Sequence, residues 1–389
     1  MTTTWLFGVI VFGTVGAATL ILHLMPGVKG ATPWMAATAF ALSYGLTPAA
    51  GWLARRLGVM DFPGGRKIHE KPTPLLGGMA IYVAFAVIVL LNGVFTPEVR
   101  GIFIASTLIF AVGAVEDTRG VSAIARLISQ VVAVGILVHH GVALTFLPPT
   151  WWGVAGEWGL TFLWVVGITN AFNFLDGLDG LAGGSSAINA FFIGVYASAT
   201  GQTHLAVVSL ALMGGALGFL PYNYKPHRRN EIADIFLGDS GSTFLGFALA
   251  SLTVMADWAE GSPKDLIVPV LIMAVPIFDM VLTTVVRFRE GLVKNLLEWI
   301  LYTGRDHFHH RLLELGIRKK EAVAIIYLVN CCLGISAFLL KGLKTADASL
   351  VLGQVTIIFG ITGYAMVVMK KRHQRAPSRS EAGSDRSPG

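Results

Sequence analysis

Charge is scarce in this chain. Only 13% of its 389 residues are Asp, Glu, Lys or Arg, against 54% hydrophobic, whereas a soluble domain usually carries about 25%. That shortage excludes an ordinary water-soluble globule. Strand-length segments of alternating polarity are also missing, which argues against a membrane barrel. Cysteine is nearly absent. Cys331 and Cys332 are adjacent within an apolar run, and neighbours bridge only with strain, so no disulfide framework is expected. The start lacks the basic stretch of a signal peptide, since Met1 to Thr4 are uncharged; the run that follows is read as a membrane helix. No internal repeat and no separate soluble domain is visible.

What the chain has instead is apolar runs of membrane-spanning length, with a mean hydropathy of +0.67. They fall at about 5–25, 32–53, 75–94, 98–115, 122–138, 157–170, 180–199, 203–221, 240–256, 266–286, 322–340 and 348–369. The expected fold is an all-α polytopic membrane protein with about 11–12 transmembrane helices and catalytic cytoplasmic loops. A single membrane domain covers 1–374, and the Ser/Gly/Arg-rich residues 375–389 form a disordered tail. Pro148 and Pro149, followed by Trp151 and Trp152, read as an interfacial stretch. Of the 29 lysines and arginines, 24 fall in one alternate set of loops and the tail. By the positive-inside rule that set is cytoplasmic, and an even number of spans places both termini there. The net charge of +6 thus reports topology, and no nucleic-acid partner is expected.

The unusual polar residues gather on the same side. The first basic loop holds Asp61, Arg66, Lys67, His69 and Gly77-Gly78. The second opens on Glu116-Asp117. The third reads Asn170-Ala-Phe-Asn173-Phe-Leu-Asp176-Gly-Leu-Asp179-Gly, and the fourth Phe236-Leu-Gly238-Asp239-Ser240-Gly241. The last holds Asp279 and then Arg305-Asp306-His307-Phe308-His309-His310. A carboxylate at mid-membrane costs roughly 2.5–3.5 kcal/mol, so such a gathering needs a reason. Asp176 and Asp179 are three apart and would share a face on a helix. Clustered carboxylates repel unless a cation sits among them. A hard divalent cation suits oxygen ligands, and Mg²⁺ takes one or two carboxylates plus substrate phosphates. Neighbouring Arg and Lys suit a phosphate-rich substrate, and the amides of Gly238 to Gly241 ahead of a helix suit an anion. Together these features point to phosphoryl transfer at a membrane face.

Taken singly, each feature has a plain structural explanation. Asp-Gly pairs make turns, and Gly77 and Gly78 suit helix packing. A proton-coupled transporter is the main rival. Its polar groups would lie at mid-membrane between repeats, which is not the pattern here. A CDP-lipid transferase would need an Asp-Gly-x-x-Ala-Arg run, which is absent.

At these motifs the chain resembles the polyprenyl-phosphate N-acetylhexosamine-1-phosphate transferase superfamily (glycosyltransferase family 4), from about Asp61 to Leu315. The motifs carrying the resemblance are Arg66-Lys67-x-His69, Pro72-Thr-Pro-x-x-Gly-Gly, Asn170-Ala-Phe-Asn173-x-x-Asp176-Gly-x-Asp179-Gly-Leu, Phe236-x-Gly-Asp239-x-Gly-Ser and His307-x-His309-His310. The resemblance implies Mg²⁺, with Mn²⁺ as the alternative, held by Asp239 with Asn173 beside it. It implies that Asp117 helps the lipid phosphate attack, that Asp176 and Asp179 lie beside the nucleotide sugar, and that Phe236 stacks on uracil. Arg305, His307, His309 and His310 would grip the sugar and diphosphate. Arg66, Lys67, His69, Asn170, Arg126 and Gln130 also match family positions. Glu116 stands where relatives usually carry a second Asp, and two apolar runs precede the Arg66 loop where relatives usually have one. The implied partners are a UDP-N-acetylhexosamine, undecaprenyl phosphate and the bilayer of a bacterial inner membrane. The histidine turn looks closest to the GlcNAc-1-phosphate branch. MurNAc-pentapeptide, GalNAc or a 6-deoxy sugar are the alternatives.

Overall fold

The computed structural model describes residues 32–63, 72–91, 93, 95–225, 233–256, 258, 267–302, 304, 306–340 and 345–375. The chain is helical almost throughout. Helix α1 (Thr32–Leu57) leads to a two-residue antiparallel pair, β1 (Met60–Asp61) with β2 (Thr73–Pro74). There follow α2 (Gly77–Leu91), α3 (Pro97–Arg119), α4 (Ala123–His139), α5 (Trp151–Leu175), α6 (Leu181–Ala199) and α7 (Thr203–Asn223). The remainder comprises α8 (Gly238–Met255), α9 (Ile267–Ile272), α10 (Ala274–Arg289), α11 (Leu296–Leu301), α12 (Phe308–Glu314), α13 (Lys319–Leu339) and α14 (Thr345–Arg375).

Helix after helix reproduces an expected span, and the protein is a multi-pass α-helical membrane protein. Five described helices are long and apolar enough to cross a bilayer by composition alone: α3, α5, α7, α13 and residues 346–368 of α14. Helices α6 and α8 are instead buried nearly all round and carry Gly, Ser and Thr along their length. Small residues let neighbouring backbones approach where no lipid intervenes. Helix α8 is the central post, packed against α2, α3, α5, α6 and α7. Phe244, fully buried on it, meets Phe85 and Tyr82 of α2 edge-on, with ring centroids 5.4 Å apart in each case.

Several boundaries differ from the sequence reading. Helix α5 begins at Trp151, capped by Thr150, whose hydroxyl accepts from the Gly153 amide at 3.2 Å. The tryptophan pair therefore opens a helix, and both rings remain exposed. The run 266–286 breaks at Met273 into α9 and α10. Pro276 has no amide to donate to the Ile272 carbonyl, which removes one hydrogen bond at the break. Helix α14 continues to Arg375, past the expected end at 369. The run 5–25 and residues 376–389 lie outside the described residues.

Candidate active site

The site is built around the amino end of α8. Gly238 adopts φ 78°, a left-handed turn open to glycine at little cost. The two amides that follow do not face an external anion, as the sequence had suggested. They are capped by Asp117 from the last turn of α3. Asp117 Oδ1 accepts from the Asp239 amide at 2.7 Å, and Oδ2 from the Ser240 amide at 3.1 Å and the Ser240 hydroxyl at 2.6 Å. A helix N-terminus favours such a carboxylate. Glycines make the approach possible. A Cβ on Gly113, one turn earlier on α3, would lie 2.5 Å from Ser240 Cα, and one on Gly78 would lie 2.2 Å from Gly241 Cα. The 72–78 strip joins the same frame through backbone bonds. Phe236 N donates to Pro74 O at 2.9 Å, Gly77 N to Phe236 O at 3.0 Å, and Gly78 N to Leu237 O at 2.9 Å. The Phe236 ring is half-buried beside this ladder.

Helix α5 delivers the next residues. The Asn173 amide donates to Asp239 Oδ1 at 2.6 Å and to Ser242 Oγ at 3.0 Å, so Asn173 aims the Asp239 carboxylate. One turn earlier Asn170 donates to Gln130 Oε1 on α4 at 2.9 Å. Glu116, pointing away from Asp117, pairs with Arg126 at 2.9 Å and leaves its buried Oε2 without a partner.

Asp176 and Asp179 do not share a helix face. They lie in the turn between α5 and α6, with Asp176 closing α5. The turn is clamped at Gly180, whose amide donates to Asn223 Oδ1 at 2.7 Å; Asn223 in turn donates to Ile235 O at 3.0 Å. Asp179 Oδ2 receives the Ala233 amide at 3.4 Å. Burial pushes the Asp176 carboxyl well above its ordinary range, and the charges of Asp239, Asp179 and Asp117 push it further. Four carboxylates thus crowd one space. An all-oxygen donor set under mutual repulsion fits a hard divalent cation. No group of three or more His, Cys, Asp or Glu among the described residues is arranged to hold a metal ion alone.

The histidine turn closes the site from α10 and α12. Asp279, fully buried on α10, accepts from the Phe308 amide at 2.6 Å and lies 3.0 Å from His307 Nδ1. Arg287 makes a two-point pair with Asp306 at 2.7 and 2.8 Å. Burial opposes the Asp306 charge, but the Arg287 hydrogen bond and charge outweigh it and hold the carboxyl below its ordinary range. His309 is fully buried, and neither ring nitrogen has a partner. Burial and the neighbouring His310 depress its pKa to about 3. A Cβ on Gly177 would lie 2.2 Å from His309 Nε2, so the histidine turn rests on the Asp176–Asp179 turn. His310 is half-buried, its ring 4.2 Å from that of His309.

The structure therefore brings together Glu116, Asp117, Arg126, Asn170, Asn173, Asp176, Asp179, Phe236, Asp239, His307, His309 and His310 at one end of the bundle. Arg66, Lys67, His69 and Arg305 lie outside the described residues; Asp61 and Thr73, which flank the first three, pair with each other at this end. Sequence reasoning included Asp306 in the turn but gave no role to it, to Arg287 or to Arg311, and placed Asp279 without a partner. The signal was available, since Asp279 interrupts an apolar run that Arg287 closes, and such charges demand polar partners.

Comparison with known proteins identifies the family. A profile of glycosyl transferase family 4 matches residues 99–257, a stretch that contains every clustered carboxylate. A Bacillus subtilis protein named a probable undecaprenyl-phosphate N-acetylglucosaminyl 1-phosphate transferase is 34% identical over 81% of this chain and 86% of its own. A Mycolicibacterium smegmatis decaprenyl-phosphate N-acetylglucosaminephosphotransferase is 34% identical over 82% of this chain and 84% of its own. The Escherichia coli K12 undecaprenyl-phosphate alpha-N-acetylglucosaminyl 1-phosphate transferase is 28% identical over 72% and 76%. With so much of both chains aligned at this identity, the protein belongs to glycosyl transferase family 4.

Proposed function

We propose that the protein transfers N-acetylglucosamine 1-phosphate from UDP-GlcNAc to undecaprenyl phosphate, releasing UMP and leaving a lipid-linked diphosphate sugar that starts a cell-surface polysaccharide. The observation that carries the reading is the convergence of Asp117, Asp176, Asp179, Asp239 and the histidine turn at one membrane end, in a chain whose relatives bear these names. The basic loops at that end favour the cytoplasmic face of a bacterial inner membrane.

The reaction is written as a direct displacement. An oxygen of the lipid phosphate attacks the β-phosphorus, and the bond from that phosphorus to the bridging oxygen breaks. UMP leaves with the bridging oxygen. A phosphate monoester has its second pKa near 6, so near neutrality the nucleophile is already ionised and positioning matters most. Mg²⁺ bound at Asp239 would neutralise diphosphate charge. Asn173 keeps Asp239 turned into the site. Asp117 spends both oxygens on the end of α8, which suits a residue that holds Asp239 in place better than one that removes a proton. Asp176 and Asp179 face the nucleotide sugar, Phe236 lies under its base, and Arg126, Asn170 and His309 add polar contacts.

The test is UMP release by purified protein in detergent. It is supplied with UDP-GlcNAc, undecaprenyl phosphate and Mg²⁺, and each is omitted in turn. UMP formed only from the full mixture, and lost in Asp239→Asn, supports the reading. Release from UDP-GalNAc, a 6-deoxy analogue or UDP-MurNAc-pentapeptide instead reassigns the sugar. No release from any of them rejects the transferase reading.

A further inference from the structure

Asp279 is fully buried on α10, a placement that costs several kcal/mol unless the charge is well hydrogen-bonded. It is. Oδ1 accepts from the Phe308 amide at 2.6 Å and from the Thr283 hydroxyl at 3.4 Å, and Oδ2 lies 3.0 Å from His307 Nδ1. The other nitrogen of His307 faces Arg287 Nη2 at 3.4 Å. Arginine can only donate, so Nε2 must be the acceptor and the ring proton sits on Nδ1, toward Asp279. Arg287 cannot turn aside, because Asp306 grips it at two points. The backbone carbonyl of Asp306 is held in turn by Arg311 Nε at 2.7 Å. The His307 ring also stacks on Phe174 of α5, centroids 4.7 Å apart. His307 thus has no nitrogen left for a ligand, whereas His309 has two.

We propose that Asp279 is a positioning residue. By fixing His307 as the Nδ1–H tautomer and capping α12 through the Phe308 amide, it seats the histidine turn so that the His309 ring lies against Gly177. Its effect on turnover rests on the transferase reading above; the tautomer itself does not. His307 is then an inner tie between helices.

Asp279→Asn sets an amide N–H against the His307 Nδ1–H. Moving the proton to Nε2 merely sets it against Arg287. His307→Asn, by contrast, places its amide nitrogen near the former Nδ1 and still donates to Asp279. In the double variant the amide of Asn at 307 can reverse and accept. The experiment measures kcat and KM for UDP-GlcNAc in the full-length protein, with ¹⁵N-histidine NMR of the ring protons and melting temperature alongside.

Asp279→Asn is expected to lower kcat by about tenfold or more, the scale of coupling between residues in contact. Because the two residues make one contact, adding His307→Asn to Asp279→Asn should cost nothing further, and the double variant should turn over at least as fast as Asp279→Asn alone. Wild type should show a slowly exchanging Nδ1–H signal that Asp279→Asn abolishes. The proposal is overturned if the two lesions simply add. It is equally overturned if the wild-type His307 proton resides on Nε2. Should Asp279→Asn fail to fold, the wild-type spectrum still decides it. If wild type releases no UMP, the transferase reading fails while the spectrum still decides the tautomer.

Discussion

Gly177 shows how much can hang on one missing side chain. It lies between Asp176 and Asp179, where a sequence reader sees an ordinary Asp-Gly turn. In the fold its bare Cα faces the His309 ring, and a methyl there would come within 2.2 Å of Nε2. Gly177→Ala should displace the ring and lower UMP release by about tenfold or more while the melting temperature falls only a few degrees, since the strain of roughly 1–3 kcal/mol can be relieved by moving one ring. Parallel turnover and thermal-melt measurements check this. His309 carries a second consequence. Its pKa in the folded protein, about 3, is below the ordinary 6.5, so between these values the unfolded chain binds the extra proton. Stability from this group is complete above about pH 6.5 and is lost as pH falls toward 3, at up to ~1.4 kcal/mol per unit. Melting curves between pH 7.5 and 5 should show a decline that His309→Gln reduces.

Among elements, α8 decides the geometry. Its first turn is touched by backbone from α2 and α3 at Gly78 and Gly113, and its end is capped by Asp117. In Gly78→Ala the new methyl meets Gly241 Cα at 2.2 Å. A backbone atom cannot rotate away, so a destabilisation of about 1–3 kcal/mol is expected. Gly135→Ala, with nothing within 4 Å, should leave stability unchanged or slightly raised by helix propensity. Thermal melts of the two variants in the same detergent settle the contrast. Loss of activity in Gly78→Ala should accompany its lower melting temperature, because the same contact aims Asp239.

On the scale of the whole molecule, the described helices alternate so that the ends of α3, α5 and α7 meet the starts of α2, α6 and α8. Every carboxylate of the site therefore lies at one membrane surface. With Cys331 and Cys332 replaced, single cysteines at Arg119 and Phe146 report the two surfaces. An impermeant maleimide added to intact cells should label Phe146→Cys and spare Arg119→Cys. The opposite pattern would place the site outside the cytoplasm and remove its supply of nucleotide sugar.

Much of this was legible in the chain. Apolar run length located the helices because a bilayer demands about 20 residues per crossing, and the bias of Lys and Arg supplies the proposed orientation that the maleimide experiment tests. Asp117, Asn173, Asp176, Asp179, Asp239 and the histidines stood out because charge and amide groups at the edge of such runs are costly. Their partners could not be read. That Asp117 caps α8, that Asn173 aims Asp239, and that Asp279 holds His307 are contacts between segments up to 122 residues apart. Nor could sequence say that the amides after Gly238 are occupied from within, or that the run 266–286 would break at Met273. The sequence by itself determined which groups the membrane would gather at one surface, since hydrophobic length and charge act locally along the chain. Only the tertiary structure decided which of them point into the site and which hold others in place, because that depends on helix packing, where a glycine or a methyl decides how closely two backbones meet.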